Sequence, residues 1–276
     1  MNPIRCVSLI ALLLIHAAHA DSVPAHIIAA VSDPSRPADD VLRDIERKPV
    51  DVLAFAGIEP GDKVADFMAG QGYFTRILCK AVARTGHVYA IFVPRAGAAE
   101  NSGPTVQALA PACDNVTAIM LEPRNFPAPE LYDSSGDPGV VYEYRQMRLP
   151  AESFTTPEPL DVIWTAESYH DLHTKSLGSP DLSLVNATFL HALKPGGILV
   201  IEDHAAKPGR GALDAETLHR IDAEWVKREV IAAGFEFVAS SKLLQHAEDA
   251  HTVKAHAMHD KTDRFLLKFR KPIAPR

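Results

Sequence analysis

Lys63-Val64-Ala65-Asp66-Phe67-Met68-Ala69-Gly70-Gln71-Gly72-Tyr73-Phe74-Thr75 is the stretch on which the fold turns. Residues 63–68 read as a short, largely apolar strand. Gly70 and Gly72 follow, and glycine is the residue that lets a backbone turn tightly and approach a ligand closely. Residues 73–83 then read as a helix with Phe74, Ile77, Leu78, Ala81 and Val82 on one face, the spacing of a helix packed on a sheet. Strand, glycine loop and helix in that order make the first unit of an α/β domain.

Working outward, the same alternation continues. Residues 88–93, 116–121, 161–165 and 198–201 read as strands, the first of them continuous and apolar as a strand buried on both faces should be. Residues 105–109, 182–193 and 223–233 read as helices, the last with Asp222 as N-cap and Gly234 just beyond its end. Strands alternating with helices imply βαβ units and a parallel sheet. Residues 235–244 and 264–269 lack a helical crossover, so they should close the sheet as an antiparallel pair. On the N-terminal side, residues 39–55 are helical in pattern apart from Pro49. Val41, Leu42, Ile45, Val52, Leu53 and Phe55 supply its apolar positions. Residues 21–37, rich in Pro, Ser and Asp, look like an extended arm. Residues 122–160 carry prolines at 123, 127, 129, 138, 150, 157 and 159 and read as an irregular insertion or lid. Tyr142, Tyr144 and Phe154 in it are able to wall a substrate pocket, although such aromatics more often form an insertion's own small core.

The first 20 residues have the three parts of a secretory signal: Arg5, an apolar run over residues 6–15, and Ala18-His19-Ala20 as the cleavage site. The run is half the roughly 20 residues a bilayer-spanning helix needs. The expectation is a secreted or periplasmic protein starting at Asp21, with one domain over residues 38–276 and no integral membrane segment. The formal charge of −7 becomes −8 once Arg5 is removed. That acidic balance argues against non-specific nucleic-acid or anionic-membrane binding. The expected partner is a small-molecule substrate. Cys79 and Cys113 remain, either as a disulfide or as two buried thiols.

Ligands of open α/β sheets bind at the carboxyl ends of the strands where strand order reverses. A dinucleotide there usually finds a third glycine three residues on, a position held here by Thr75. Asp66 at the strand end would repel a pyrophosphate. It suits S-adenosylmethionine (SAM), which carries an ammonium and a sulfonium and no phosphate.

Residues 60–73, with Lys194-Pro195-Gly196-Gly197 leading into the fifth strand, resemble the class I SAM-dependent methyltransferases over about residues 40–270. More narrowly, Ser168-Tyr169-His170-Asp171, Glu202-Asp203-His204, His219-Arg220-Ile221-Asp222 and Thr262-Asp263-Arg264-Phe265 resemble a bacterial group of predicted methyltransferases, often exported. The resemblance implies a Rossmann-like α/β fold: a mostly parallel seven-stranded sheet, helices on both faces, its last strand antiparallel. It also implies SAM as cofactor. The candidate cofactor contacts are Asp66, Met68, Ala69, Gly70, Gly72, Tyr73 and Glu167. The superfamily's ribose-binding acid at the end of the second strand has no counterpart in residues 89–94; its place falls at Phe92. That departure, with export, supports the alternative of a non-catalytic periplasmic binding protein on the same fold.

His170, Asp171 and His204 are the candidate catalytic residues, because the ends of the fourth and fifth strands converge beside the cofactor loop. His219 is a further candidate for the same pocket. His170 is the better candidate base, with Asp171 or Asp203 to orient it. Each lone histidine is more often a polar loop residue. A metal site is the second reading of the histidines, but their spacing identifies no ion, and none is assigned. His246, His251, His256 and His259 read as a solvated loop.

Overall fold

The computed structural model describes residues 23–93, 109–121, 156–177 and 180–273. The signal sequence and its cut, most of the 105–109 helix, Tyr142, Tyr144, Phe154 and nearly all of the 122–160 insertion lie outside them. One seven-stranded sheet runs β3-β2-β1-β4-β5-β7-β6. Its strands are β1 (Lys63–Phe67), β2 (His87–Phe92), β3 (Val116–Met120), β4 (Leu160–Ala166), β5 (Leu193–His204), β6 (Glu236–Ser241) and β7 (Arg264–Arg270). β1 to β5 are parallel, and β7 runs antiparallel to both β5 and β6. This is the Rossmann-like arrangement expected from the sequence, with the order reversing between β1 and β4.

Seven helices accompany it: α1 (Ala25–Val31), α2 (Ala38–Arg47), α3 (Pro49–Ala56), α4 (Tyr73–Ala81), α5 (Leu182–Ala192), α6 (Ala215–Leu218) and α7 (Ala223–Ala232), counted among the described residues. Period-two alternation along the strands feeds two cores. Val64 and Trp164 face one core with Leu53, Phe74, Ile77 and Leu78; Ala65, Phe67 and Ile163 face the other with Phe189, Val226 and Phe269. Leu160 and Val162, two apart, fall on opposite faces because the β4–β5 register shifts between them. Asp222 caps α7 as expected, accepting from the Glu224 N–H at 3.0 Å. No helix among the described residues is long and apolar enough to cross a membrane.

Four expectations change. Residues 25–31 form a helix, not an arm; Ile27 and Ala30 are buried against the first core. The helix expected over residues 39–55 is two helices. Lys48 breaks it with φ +44°, and Pro49 opens α3, since the residue before a proline is driven out of helical geometry. Val41, Leu42 and Ile45 are exposed, so α2 turns its charged face inward. Glu202, Asp203 and His204 are the last residues of β5 and pair with Leu266, Phe265 and Arg264 of β7. Cys79 and Cys113 form a disulfide, their Cα atoms 6.2 Å apart, which ties α4 to the segment before β3.

Candidate functional site

Two cavities open at the carboxyl ends of the strands. The smaller, about 290 Å³, is built around the glycine loop and bounded by Asp66, Met68, Ala69, Gly70, Tyr73, Phe92, Val93 and Glu167. Six of the seven residues expected to touch a cofactor therefore line it. Gly72 does not. Its φ is +78°, and a Cβ there would meet Leu109 Cδ2 at 2.8 Å, so this glycine serves the packing under the loop. Gly70 is different: φ is +58°, and a Cβ would meet nothing nearer than the Met68 carbonyl oxygen at 3.9 Å, so the missing side chain leaves the backbone bare towards the cavity.

Asp66 is buried at the floor. The Thr75 hydroxyl, in the position of a dinucleotide site's third glycine, donates to it at 2.5 Å. Burial pushes Asp66 up to about 6 in spite of that bond, so it gains most from a cationic ligand. The inward face of α2 forms the opposite wall. Arg47 pairs with Glu167 and, at 3.0 Å, with Asp260, and stands 4.8 Å over the Tyr73 ring. Arg43 pairs with Asp260 at 2.6 Å. Arg264, fully buried, reaches Glu167 at 2.7 Å and Glu202 at 3.0 Å. Glu167 is thus a wall residue already neutralised by two arginines. Burial alone would raise its carboxyl, but Arg47 chiefly holds it below its ordinary value.

The larger cavity, about 1010 Å³, is bounded by Leu42, Ile45 and Glu46 of α2, by His170, Asp171, His204 and His219, and by the segment carrying His256 and His259. Arg43, Glu167 and Asp171 line both cavities, so the two are neighbours across one wall. All three candidate catalytic residues fall here, and His219 joins them. Asp203, fully buried, accepts the backbone N–H groups of His170 at 2.6 Å and His204 at 2.7 Å, and the His170 Nδ1–H at 2.7 Å. Asp203 is therefore the residue that orients His170, one of the two carboxylates the sequence offered.

The surroundings of His170, expected as a neutral base, favour its protonated form. Burial pulls His170 down, but Asp203 and Asp171 outweigh that and hold it at about 10. His204 goes the other way: burial takes it to about 4, so it is the neutral imidazole, bonded through Nδ1 to Thr262 Oγ1 at 2.7 Å. The expected solvated histidines also divide. His246 and His251 are half-buried beside Glu46 at 3.3 Å and Asp263 at 2.8 Å, while His256 and His259 are exposed at the larger cavity.

The sequence reading missed Arg43, Arg47 and Asp260. Their signal was present in α2, where Asp40, Arg43, Asp44 and Arg47 recur at helical spacing as a charged face opposite Val41, Leu42 and Ile45. Eight described residues other than glycine have positive φ, and five of them, Met68, Glu167, His219, His259 and Asp260, line the two cavities. Backbone held in this costly region tends to collect at functional sites.

No protein-family model matches the chain, and no curated protein sequence does. Among solved structures, the N-methyltransferase NodS from Bradyrhizobium japonicum WM9 is similar with a TM-score of 0.50 and 15% identity, over 85% of this chain and 99% of that one. The fold is that of the Rossmann-like methyltransferases. A SAM-dependent methyltransferase from Aquifex aeolicus is similar at TM-score 0.48 and 17% identity, over 85% and 98% of the two chains. The arsenic(III) methyltransferase CrArsM from Chlamydomonas reinhardtii is similar at 0.49 and 14%, over 92% and 75%. In this methyltransferase fold the glycine loop and the β4 end occupy the topological switch point, where the smaller cavity lies.

Proposed function

We propose that the chain transfers a methyl group from SAM to a small-molecule acceptor. The observation that carries this reading is the pair of cavities sharing Arg43, Glu167 and Asp171, one of them built on the glycine loop. The residues of the smaller cavity fit the cofactor. Asp66 offers a buried carboxylate to a cation, Gly70 offers bare backbone, and Arg43 and Arg47 offer positive charge to a carboxylate. Phe92 and Val93 present an apolar wall where the superfamily's ribose-binding acid would stand. SAM supplies an electrophilic methyl on a sulfonium. The protein's part is to hold the acceptor's nucleophile in line with it and to exclude water. His170, Asp171 and His204 face the acceptor in this reading, with Asp171 at the junction of the two cavities and His170 held in place by Asp203.

Calorimetry with SAM and with its demethylated product tests the site. Asp66→Ala should cost about 1.5–3 kcal/mol of affinity, the range of a hydrogen bond to a charged group. Gly70→Val should cost more, because a branched side chain at φ +58° is strained and also occupies the approach. Unchanged affinity in both folded variants would refute the assignment. Affinity should also depend on pH. Ionised Asp66 is the form that holds a cation, and its value is about 6, so SAM should bind more tightly as pH rises from 5 to 7. In Asp66→Asn that slope should vanish.

Export is the second part of the proposal, and the Cys79–Cys113 disulfide supports it, since such bonds persist in oxidising compartments. The form recovered from the cell envelope should begin at Asp21 on N-terminal sequencing; an intact Met1 would refute cleavage.

A further inference from the structure

Three ligand-type atoms at the larger cavity converge. His170 Nε2 lies 3.3 Å from His219 Nδ1 and 3.3 Å from Asp171 Oδ1, and the third edge, His219 Nδ1 to Asp171 Oδ1, is 3.7 Å. This is the one group of three metal-ligating side chains gathered within 4.8 Å among the described residues. Tetrahedral ligands at about 2.0–2.1 Å from one ion stand roughly 3.4 Å from each other. The three edges bracket that spacing, so an ion about 2.0 Å from every atom fits among them. We propose that His170, Asp171 and His219 form a binding site for a divalent transition-metal ion of the zinc or ferrous class, with open positions towards the larger cavity.

A second observation points the same way. A metal-ligating histidine characteristically donates its other ring N–H to a carboxylate, which fixes the tautomer and turns the free nitrogen towards the ion. His170 does this: Nδ1 donates to Asp203 at 2.7 Å, and Asp203 is itself pinned by two backbone N–H groups. Nε2 is therefore the nitrogen aimed at His219 and Asp171. His219 arrives from another element, at the C-terminus of α6, and its backbone is left-handed with φ +53°. A non-glycine residue held there is over-determined by its surroundings, and the result is that its ring meets His170 edge-to-face at 5.4 Å. Two imidazoles and one carboxylate, with no thiolate, are a donor set for zinc or ferrous iron rather than for calcium or magnesium. Asp171 and Asp203 supply two negative charges against the ion's two positive ones. Metal binding does not rest on the methyl-transfer reading; its use does, since the open positions would hold an oxygen, nitrogen or sulfur donor of the acceptor beside the cofactor.

The test uses the full chain without an affinity tag, stripped with chelator and titrated with Zn²⁺ by calorimetry and with Co²⁺ by visible absorption. One tight equivalent of Zn²⁺ is expected, with a Co²⁺ ligand-field band of four- or five-coordinate intensity. His219→Ala sits at a half-exposed position and should fold. It and Asp171→Asn should each weaken the first equivalent by more than the roughly 10–100-fold that loss of an outer partner costs. Absence of a tight equivalent, or affinity unchanged in both folded variants, overturns the site. SAM titrated into the same samples separates the two readings: SAM binding without metal binding sinks this inference alone, and metal binding without SAM binding sinks the methyl-transfer reading alone.

Discussion

Arg264→Met is expected to cost about 3–5 kcal/mol of folding stability, the penalty for removing one partner of a buried ion pair. The guanidinium is fully buried and joins Glu167, Glu202 and the Glu46 carbonyl oxygen, at 2.7, 3.0 and 2.7 Å. Methionine fills much of the volume but leaves the buried Glu202 carboxylate without its partner, while Glu167 keeps only Arg47. The loss should depend on pH. Burial already raises Glu202 to about 7 from 4.5, despite Arg264, with Glu167 adding to the rise. Between those values the folded state binds more protons than the unfolded state, so this group makes the protein less stable as pH rises from about 4.5 through 7. In the variant the uncompensated charge is relieved by protonation. The difference between the two proteins should therefore be smaller at pH 5 than at pH 8. Urea unfolding at both values measures it. A loss under 1 kcal/mol, or one equal at the two pH values, would mean that the arginine does not hold these acids in place.

Reduction of the Cys79–Cys113 bond is expected to cost about 4 kcal/mol, between the ~3 kcal/mol of a 15-residue loop and the ~4.7 of a 100-residue one, since 34 residues separate the cysteines. For a domain of this size the melting temperature should fall on the order of 10 °C. Thermal melts with and without reductant, and of Cys79→Ala with Cys113→Ala, measure it. A shift of only a degree or two would show that the unfolded chain gains little from release of the loop.

The fold was legible because its signal is spread over many residues. Apolar strands alternating with amphipathic helices specify the sheet, and Asp66 to Thr75 marks its switch point. Where one residue decides, the sequence misled. Pro49 announced a break, yet the helical period runs through it, and only the left-handed Lys48 divides α2 from α3. The seven residues of α1 sit between prolines and serines whose composition hides them. Val41, Leu42 and Ile45 look like core. The pull of Arg36, Arg76, Glu167 and Asp260 on the charged side of α2 turns that stripe outward. At the site, convergence of the β4 and β5 ends was readable, as was the gathering of Asp66, Met68, Ala69, Gly70 and Tyr73 around one cavity. The partner that holds His170 was not singled out. It is Asp203, 33 residues away in sequence and 2.7 Å away in space.

The wall shared by the two cavities has a thermodynamic corollary. Arg43, Glu167 and Asp171 face both, so an occupant of either changes the electrostatic field felt by the other. Such coupling is reciprocal: the factor by which an acceptor alters cofactor affinity equals the factor by which the cofactor alters acceptor affinity. If the chain transfers a methyl group as proposed, a search for the acceptor made on the apo chain alone would miss compounds whose affinity depends on a filled cofactor cavity. The same search made with the demethylated cofactor product present reveals them through the product's own dissociation constant, before any turnover is measured.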